Sequence, residues 1–277
     1  MTELDPDAIV CEAGDARLEV SPRDGGRIRS LTVGGHELLV TSSPEGPIYW
    51  GCYPMAPWAG RLREGRFTFG GRGYEVRPNL PPHAIHGVVF DRPWRVDDER
   101  TMSVELDERW PFAGRVVHRF ELAPDRLDVT LELHADEPMP GVVGWHPWLR
   151  RRLVAGDPGV RLAFEARTML QRDEAGITTG VRVPPPPGPF DDAFTDLTRN
   201  PVLEWPGRLR LELSSSCPWW VVFDERPDAV CVEPQSGPPD APNLMPEVVE
   251  PGRPLVHTMR WRWSPDDLTT VPRSRPG

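Results

Sequence analysis

Residues 116–133 read VVHRFELAPDRLDVTLEL, and this stretch decides the fold class. In its second half Leu127, Val129, Leu131 and Leu133 recur at every second position, separated by Asp128, Thr130 and Glu132. Successive side chains of an extended strand point to opposite faces, so a period of two marks a strand with one apolar and one polar face. VVHRFEL alternates likewise, and APDR between the two halves supplies turn chemistry. The stretch therefore predicts a β-hairpin.

The same pattern extends outward in both directions. RIRSLTV and HELLV flank Gly34-Gly35, and FTF and YEV flank a turn at Gly70 to Gly73. Both predict hairpins with glycine at the positive-φ positions. RLRLEL, WWVVF, AVCVE and HTMRWRW continue the alternation toward the C-terminus, and no window sustains a 3.6-residue apolar period. The chain of 277 residues carries 35 prolines and 25 glycines, a density that suits many short strands joined by turns and opposes long helices. The expected class is all-β, a large sandwich forming a single domain over residues 1–277. The main interruption, VRVPPPPGPFDDAFTDL at 181–197, is expected to be a rigid surface loop, because the strands on either side share one character.

Charge and composition remove several classes of function. A formal net charge of −10 opposes a phosphate backbone, which needs a basic face, and equally an anionic membrane surface. All 32 basic residues are arginine, which we attribute to codon bias. No stretch approaches the roughly 18 apolar residues of a spanning helix, and MTELDPDAIV lacks the basic and apolar regions of a signal peptide. A cytoplasmic location is expected. Cys11, Cys52, Cys217 and Cys231 are widely spaced with no CxxC pair, so reduced thiols are expected.

Three polar clusters combine titratable residues with turns and aromatics: PPHAIHG with His83 and His86, GWHPWLRR with His146 between two tryptophans, and CVEPQSGPPDAPN with Glu233. Glu233 is expected to close an apolar strand, since Pro234 cannot donate to a continuing ladder. A carboxylate there is well sited to face a cleft. Each cluster also has a plain reading: a hydrogen-bonding histidine beside a turn, a solvated strand-end carboxylate, core tryptophans. His83 and His86 form an HxxH, but three-residue spacing on extended chain splits them across faces and no third ligand is near, so no metal is expected.

Taken in order, PMAPWAGRLREGRF (54–67), HAIHG (83–87), GWHPWL (144–149), FDDAFTDL (190–197) and VCVEPQSGPPDAPN (230–243) resemble the aldose 1-epimerase family. The resemblance spans nearly the whole chain, and EPQSGPPDAPN is its most specific element. It implies a galactose-mutarotase-like β-supersandwich, in agreement with the strand pattern. It further implies Glu233 as general base, from the family's E-x-Q segment, and His146 as general acid, from its H-P-aromatic segment. His86 falls on the histidine before glycine that binds the sugar, Arg61 on the arginine of the family's N-R pair, and Asp191 on the substrate-gripping aspartate, with Asp192 adjacent. Two positions depart from the family: Gly60 and His83 stand where it usually has asparagine, and both are expected to alter the hydrogen-bonding rim.

These residue types suit mutarotation. Opening a hemiacetal takes a proton from the C1 hydroxyl and gives one to the ring oxygen, so one carboxylate and one histidine on two sides of the anomeric centre are the minimum set. No cofactor is needed, which agrees with the lack of a dinucleotide fingerprint or a P-loop. Arg61 and Asp191 would hold sugar hydroxyls, and one of Trp58, Trp145 or Trp148 would stack on the pyranose. Three rival readings share the motifs. A hexose-6-phosphate 1-epimerase would need arginines converging on the phosphate, with Arg63, Arg66, Arg92 and Arg150 to Arg152 available. A non-catalytic sugar-binding protein needs no acid–base pair. A polysaccharide lyase or hydrolase would use two carboxylates and leave the histidine segments unexplained.

Overall fold

The structure, a computed structural model, describes residues 7–266. The principal strands run, in chain order, β1 (Arg27–Val33), β2 (Cys52–Met55), β3 (Gly114–Ala123), β4 (Arg126–Ala135), β5 (Gly144–Arg150), β6 (Arg161–Arg172), β7 (Thr178–Val183), β8 (Asp191–Trp205), β9 (Leu209–Ser215), β10 (Trp219–Phe223), β11 (Ala229–Gln235) and β12 (Leu255–Pro265). Among the described residues the only α-helix is the single turn Ala241–Leu244. The expected all-β class is the observed one.

The hairpin at 116–133 forms as its alternation dictates. β3 and β4 pair antiparallel with Val116 opposite Leu133 and Phe120 opposite Val129. Leu127, Val129, Leu131 and Leu133 are buried while the residues between them are partly exposed. From here antiparallel pairing runs β3–β4–β12–β9–β8, then on through β10, β11 and β5 to β2 and β1. One curled sheet results. Leu127 to Leu133 of β4, Leu211 of β9 and Trp261 of β12 share a buried cluster with Trp145 of β5 and Val230 and Val232 of β11, so the sheet folds back on its own core as a sandwich.

β8 joins the two halves. Its first residues, Asp191 to Phe194, pair with β10, and its last, Val202 to Trp205, pair with β9. This corrects the expected loop at 181–197: DDAFTDL, from Asp191 on, lies within β8, and the proline run is confined to the short connection after β7. Alternating Ala193 and Thr195 have enough cross-strand partners to hold an extended chain that prolines upstream cannot join. A second correction concerns β11, which does not close at Glu233. It continues through Pro234 to Gln235, with Trp220 opposite Pro234 and Trp219 opposite Gln235. Proline is tolerated there because only one of its backbone groups is missing and the chain on either side stays in register.

No helix among the described residues is long and apolar enough to cross a membrane. The four cysteines are free, as expected.

Candidate active site

The site follows from register. Ala193 of β8 lies opposite Val221 of β10, and Val221 lies opposite Glu233 of β11. β11 then pairs with β5 through Gly144 opposite Gln235 and Trp148 opposite Cys231. That register places His146 across from Glu233, and His146 in turn lies opposite Tyr53 of β2. Between the two flanking pairs the β5–β11 ladder is interrupted, where Pro147 and Pro234 have no N–H to give. Neighbouring strands stand about 4.8 Å apart, so an acid and a base on adjacent strands are held by the sheet itself.

Strand parity decides which side chains enter the cleft. On β5, His146 and Trp148 line it, whereas Trp145 belongs to the core and donates its indole N–H to His118 Nε2 at 3.2 Å. On β11, Glu233 and Gln235 line it, whereas Val230 and Val232 face the core. Of the three tryptophans expected to offer a stacking face, Trp148 alone lines the cleft; Trp58 and Trp145 are core residues. The cleft has a cavity volume of about 200 Å³.

His146 Nε2 sits 3.2 Å from Glu233 Oε1, and Glu233 Oε2 accepts the side-chain amide of Gln235 at 3.1 Å. The imidazole is clamped between two rings: Tyr53 stacks on it at a centroid distance of 4.9 Å and Trp148 at 5.2 Å. Burial pushes the Glu233 carboxyl well above the usual carboxylate range, helped by the charge of Asp191 and opposed by Gln235 and Arg61. Burial, with a smaller push from the Arg27 guanidinium, lowers His146 to about 3. Burial thus favours the uncharged form of both partners.

His86 reaches the same place from a turn. Its backbone is left-handed at φ 61°, and Gly87 follows at φ 80° with the Ala56 carbonyl where a Cβ would stand, 1.8 Å away. Only glycine fits there. The turn sets the His86 ring 4.9 Å from His146, nearly perpendicular to it. His86 Nδ1 accepts the Gly60 N–H at 3.3 Å, and burial, then the charges of His146 and Arg61, holds the ring neutral. A neutral imidazole that accepts at Nδ1 carries its proton on Nε2, the opposite side of the ring.

The two departures from the family separate. Gly60 lines the cleft, and a Cβ there would meet Pro239 Cγ at 2.6 Å, so Pro239 excludes the usual asparagine. His83 does not line the cleft; its Nδ1 accepts the Glu64 N–H at 3.1 Å and steadies the turn behind Arg61. The expectation that His83 alters the rim is corrected accordingly.

Arg61 and Asp191 meet across the cleft at 3.4 Å. A residue that sequence reading passed over completes this end: Arg172, the last residue of β6, pairs with Asp191 Oδ2 at 2.9 Å and with Asp192 Oδ1 at 2.8 Å. Nothing in QRDE marks Arg172 as special, since its partners lie on β8. Tyr53 and Gln235 were passed over too, although Gln235 lies inside the EPQSG segment. The five residues implied by the resemblance, Arg61, His86, His146, Asp191 and Glu233, all line this one cleft.

Comparison with known proteins identifies the family and the fold. The family model described as aldose 1-epimerase matches residues 8–262. YphB of Escherichia coli K12, an uncharacterized protein, is 26% identical over 214 residues, covering 68% of this chain and 74% of its own. A galactose mutarotase-like protein from Clostridium acetobutylicum superposes with a TM-score of 0.81 at 16% identity, over 93% of this chain and 95% of its own. Galactose 1-epimerase from Lactobacillus acidophilus does so with a TM-score of 0.78 at 16% identity, over 96% and 97%. By the family match across nearly its whole length, this chain belongs to the aldose 1-epimerase family.

Proposed function

We propose that the protein is a cofactor-independent isomerase that interconverts the α and β anomers of a free aldose, with Glu233 as general base and His146 as general acid. The observation that carries the reading is the 3.2 Å approach of His146 Nε2 to Glu233 Oε1 in the cleft wall. A sugar entering with its anomeric end first parts this pair and takes up both groups.

The pair's one proton passes from the carboxyl to the imidazole as the sugar enters; the Glu233 carboxylate then removes the C1 hydroxyl proton while the His146 imidazolium gives its proton to the ring oxygen. The C1–O5 bond breaks and an aldehyde forms. Rotation about C1–C2 presents the other face, and closure returns both protons by the reverse transfers. Each group is expected to supply roughly 10²–10⁴-fold. His86, with its Nε2 proton, donates to the sugar beside His146. Burial makes Glu233 a stronger base once ionised than a solvated glutamate.

The distal end of the cleft supports a neutral substrate. Its two arginines, Arg61 and Arg172, are already bound to Asp191 and Asp192. Arg63 is paired with Asp173 at 2.6 Å and Arg92 with Asp107 at 2.7 Å, and neither these nor Arg66 and Arg150 to Arg152 line the cleft. A phosphate would have to displace carboxylates, so the free sugar is favoured over its 6-phosphate. Asp191, with Asp192 beside it, is left to accept distal hydroxyls. The site residues come from both ends of the chain, which fits a single-domain reading.

The test is polarimetry of freshly dissolved α-D-galactose and α-D-glucose with the purified protein, followed by glucose 6-phosphate. Faster approach to anomeric equilibrium on a free sugar establishes the reading. Acceleration on the phosphate alone transfers it to the phosphorylated substrate, and none on any sugar by folded protein removes it.

A further inference from the structure

Cys231 is the one buried thiol beside the proposed acid–base pair, and the proton transfers above do not use it. It stands two residues before Glu233 on β11, so both side chains leave the same face of the strand. The donor atoms of His146, Cys231 and Glu233 all lie within 4.8 Å of one another, and all three residues are buried. Imidazole nitrogen, sulfur and carboxylate oxygen are the donor types that bind zinc. A tetrahedral zinc ion with bonds of 2.0–2.3 Å holds its ligands roughly 3.5 Å apart. The longest separation therefore has to shorten by about 1.3 Å at most, a movement within the reach of side-chain rotation.

Two further atoms point to an absent ligand. His146 Nδ1 and the Gln235 side-chain carbonyl are buried and have no hydrogen-bond partner. Gln235 is wholly buried and spends its amide N–H on Glu233, which leaves its oxygen as a spare donor in the cleft wall. Buried polar atoms without partners are rare and call for a ligand or water.

We propose that His146, Cys231 and Glu233 form a binding site for a zinc-like divalent cation, and that the bound ion shuts off the sugar site. On binding, the Cys231 S–H and Glu233 O–H bonds break, sulfur–metal and oxygen–metal bonds form and both protons leave to solvent. Thiolate and carboxylate together then balance the two positive charges of the ion. His146 and Glu233 line the cleft, so the ion enters by the opening the sugar uses and occupies the groups the sugar needs. The ion is thus an inhibitor and not a cofactor. Only this inhibitory half rests on the proposed function; the ion site itself stands on the cluster.

Cadmium is the probe, because a cadmium–thiolate bond absorbs in the ultraviolet and zinc displaces it. The full chain is titrated with cadmium as wild type, Cys231→Ala, Cys231→Ser and, as a control for another buried thiol, Cys52→Ala. The expected result is one equivalent bound with the thiolate band in wild type and Cys52→Ala. Both Cys231 variants, checked for folding by circular dichroism, lose the band and bind more than about a hundredfold more weakly. Absence of the band in wild type, or its persistence in both Cys231 variants, overturns the site. In the anomerisation assay, zinc should inhibit wild type competitively with sugar, a chelator should restore it, and Cys231→Ala should resist. Equal inhibition of wild type and Cys231→Ala overturns the blocking role. Cadmium binding by a protein that anomerises no sugar leaves the ion site standing and removes the proposed function instead.

Discussion

His146 and Glu233 face each other from neighbouring antiparallel strands, their Nε2 and Oε1 atoms 3.2 Å apart, in the interval where each strand carries a proline immediately after the reacting residue. The backbone sets the pair in register, while Pro147 and Pro234 keep the ladder from closing tightly around it.

Removing either group should remove catalysis while leaving the fold. Glu233→Gln and His146→Asn keep size and hydrogen bonding but cannot exchange the proton, so each should slow anomerisation by more than about a hundredfold. Polarimetry on folded variants measures this. Near wild-type rates in either would reassign the role.

The pH dependence follows from Glu233. Its carboxyl is held well above the ordinary range by burial, so the pair keeps the one proton that the reaction needs to higher pH than with a solvated glutamate. In kcat/KM activity should therefore fall on the alkaline side, at a midpoint clearly above that of an ordinary carboxylate. A midpoint at or below about 4.3 would show that burial does not govern the free enzyme.

Arg172 should act on binding. It holds Asp191 and Asp192 together, so Arg172→Met frees both carboxylates to reorient and should raise KM by about tenfold or more, with kcat little changed. Arg172→Lys should recover only part of this, because an ammonium cannot present the planar fork that spans two aspartates. A loss confined to kcat would contradict this placement.

Gly87→Ala tests the turn that seats His86. A Cβ would overlap the Ala56 carbonyl at a φ of 80°, so the cost should exceed about 3 kcal/mol and lower Tm by on the order of 10 °C. Calorimetry is the check.

His118 predicts acid lability independent of the cleft. Its ring is wholly buried between the Gly26 carbonyl and the Trp145 N–H, and burial lowers it to about 4. The unfolded chain binds a proton at about 6.5 that the folded chain refuses, so stability is full above that pH. It should fall by about 1.4 kcal/mol per unit as pH drops, levelling off below about 4, a total of about 3 kcal/mol. Urea unfolding between pH 7 and pH 4 measures the slope. His118→Gln should lessen the slope by that amount, leaving the share of the buried His86 and His146.

Much of this was legible in the chain because sheets have a simple rule. Alternation in LDVTLEL marked a strand and its buried face, and the same parity puts His146 with Trp148 and Glu233 with Gln235. Trp145 was offered as a sugar-stacking candidate although its odd position turns it to the core. What local pattern could not show is register between distant strands. Arg172 meets Asp191 only because β6 lies beside β8, and no short-range signal encodes that pairing. Pro234 misled for a related reason: taken alone it ends a ladder, but partners on both sides carry β11 past it. Gly60 needed Pro239, far along the chain, to explain the missing side chain.

The division of labour between sheet and turns has an evolutionary corollary. The proposed acid–base pair sits on adjacent strands of the continuous sheet, whereas Gly176, Leu80 and Tyr49, on the connections around it, form part of the rim. Insertions and substitutions in those connections can reshape the entrance without moving the atoms that exchange protons. Under the proposed function, changes to the rim alter which sugar fits while the same two side chains carry the protons.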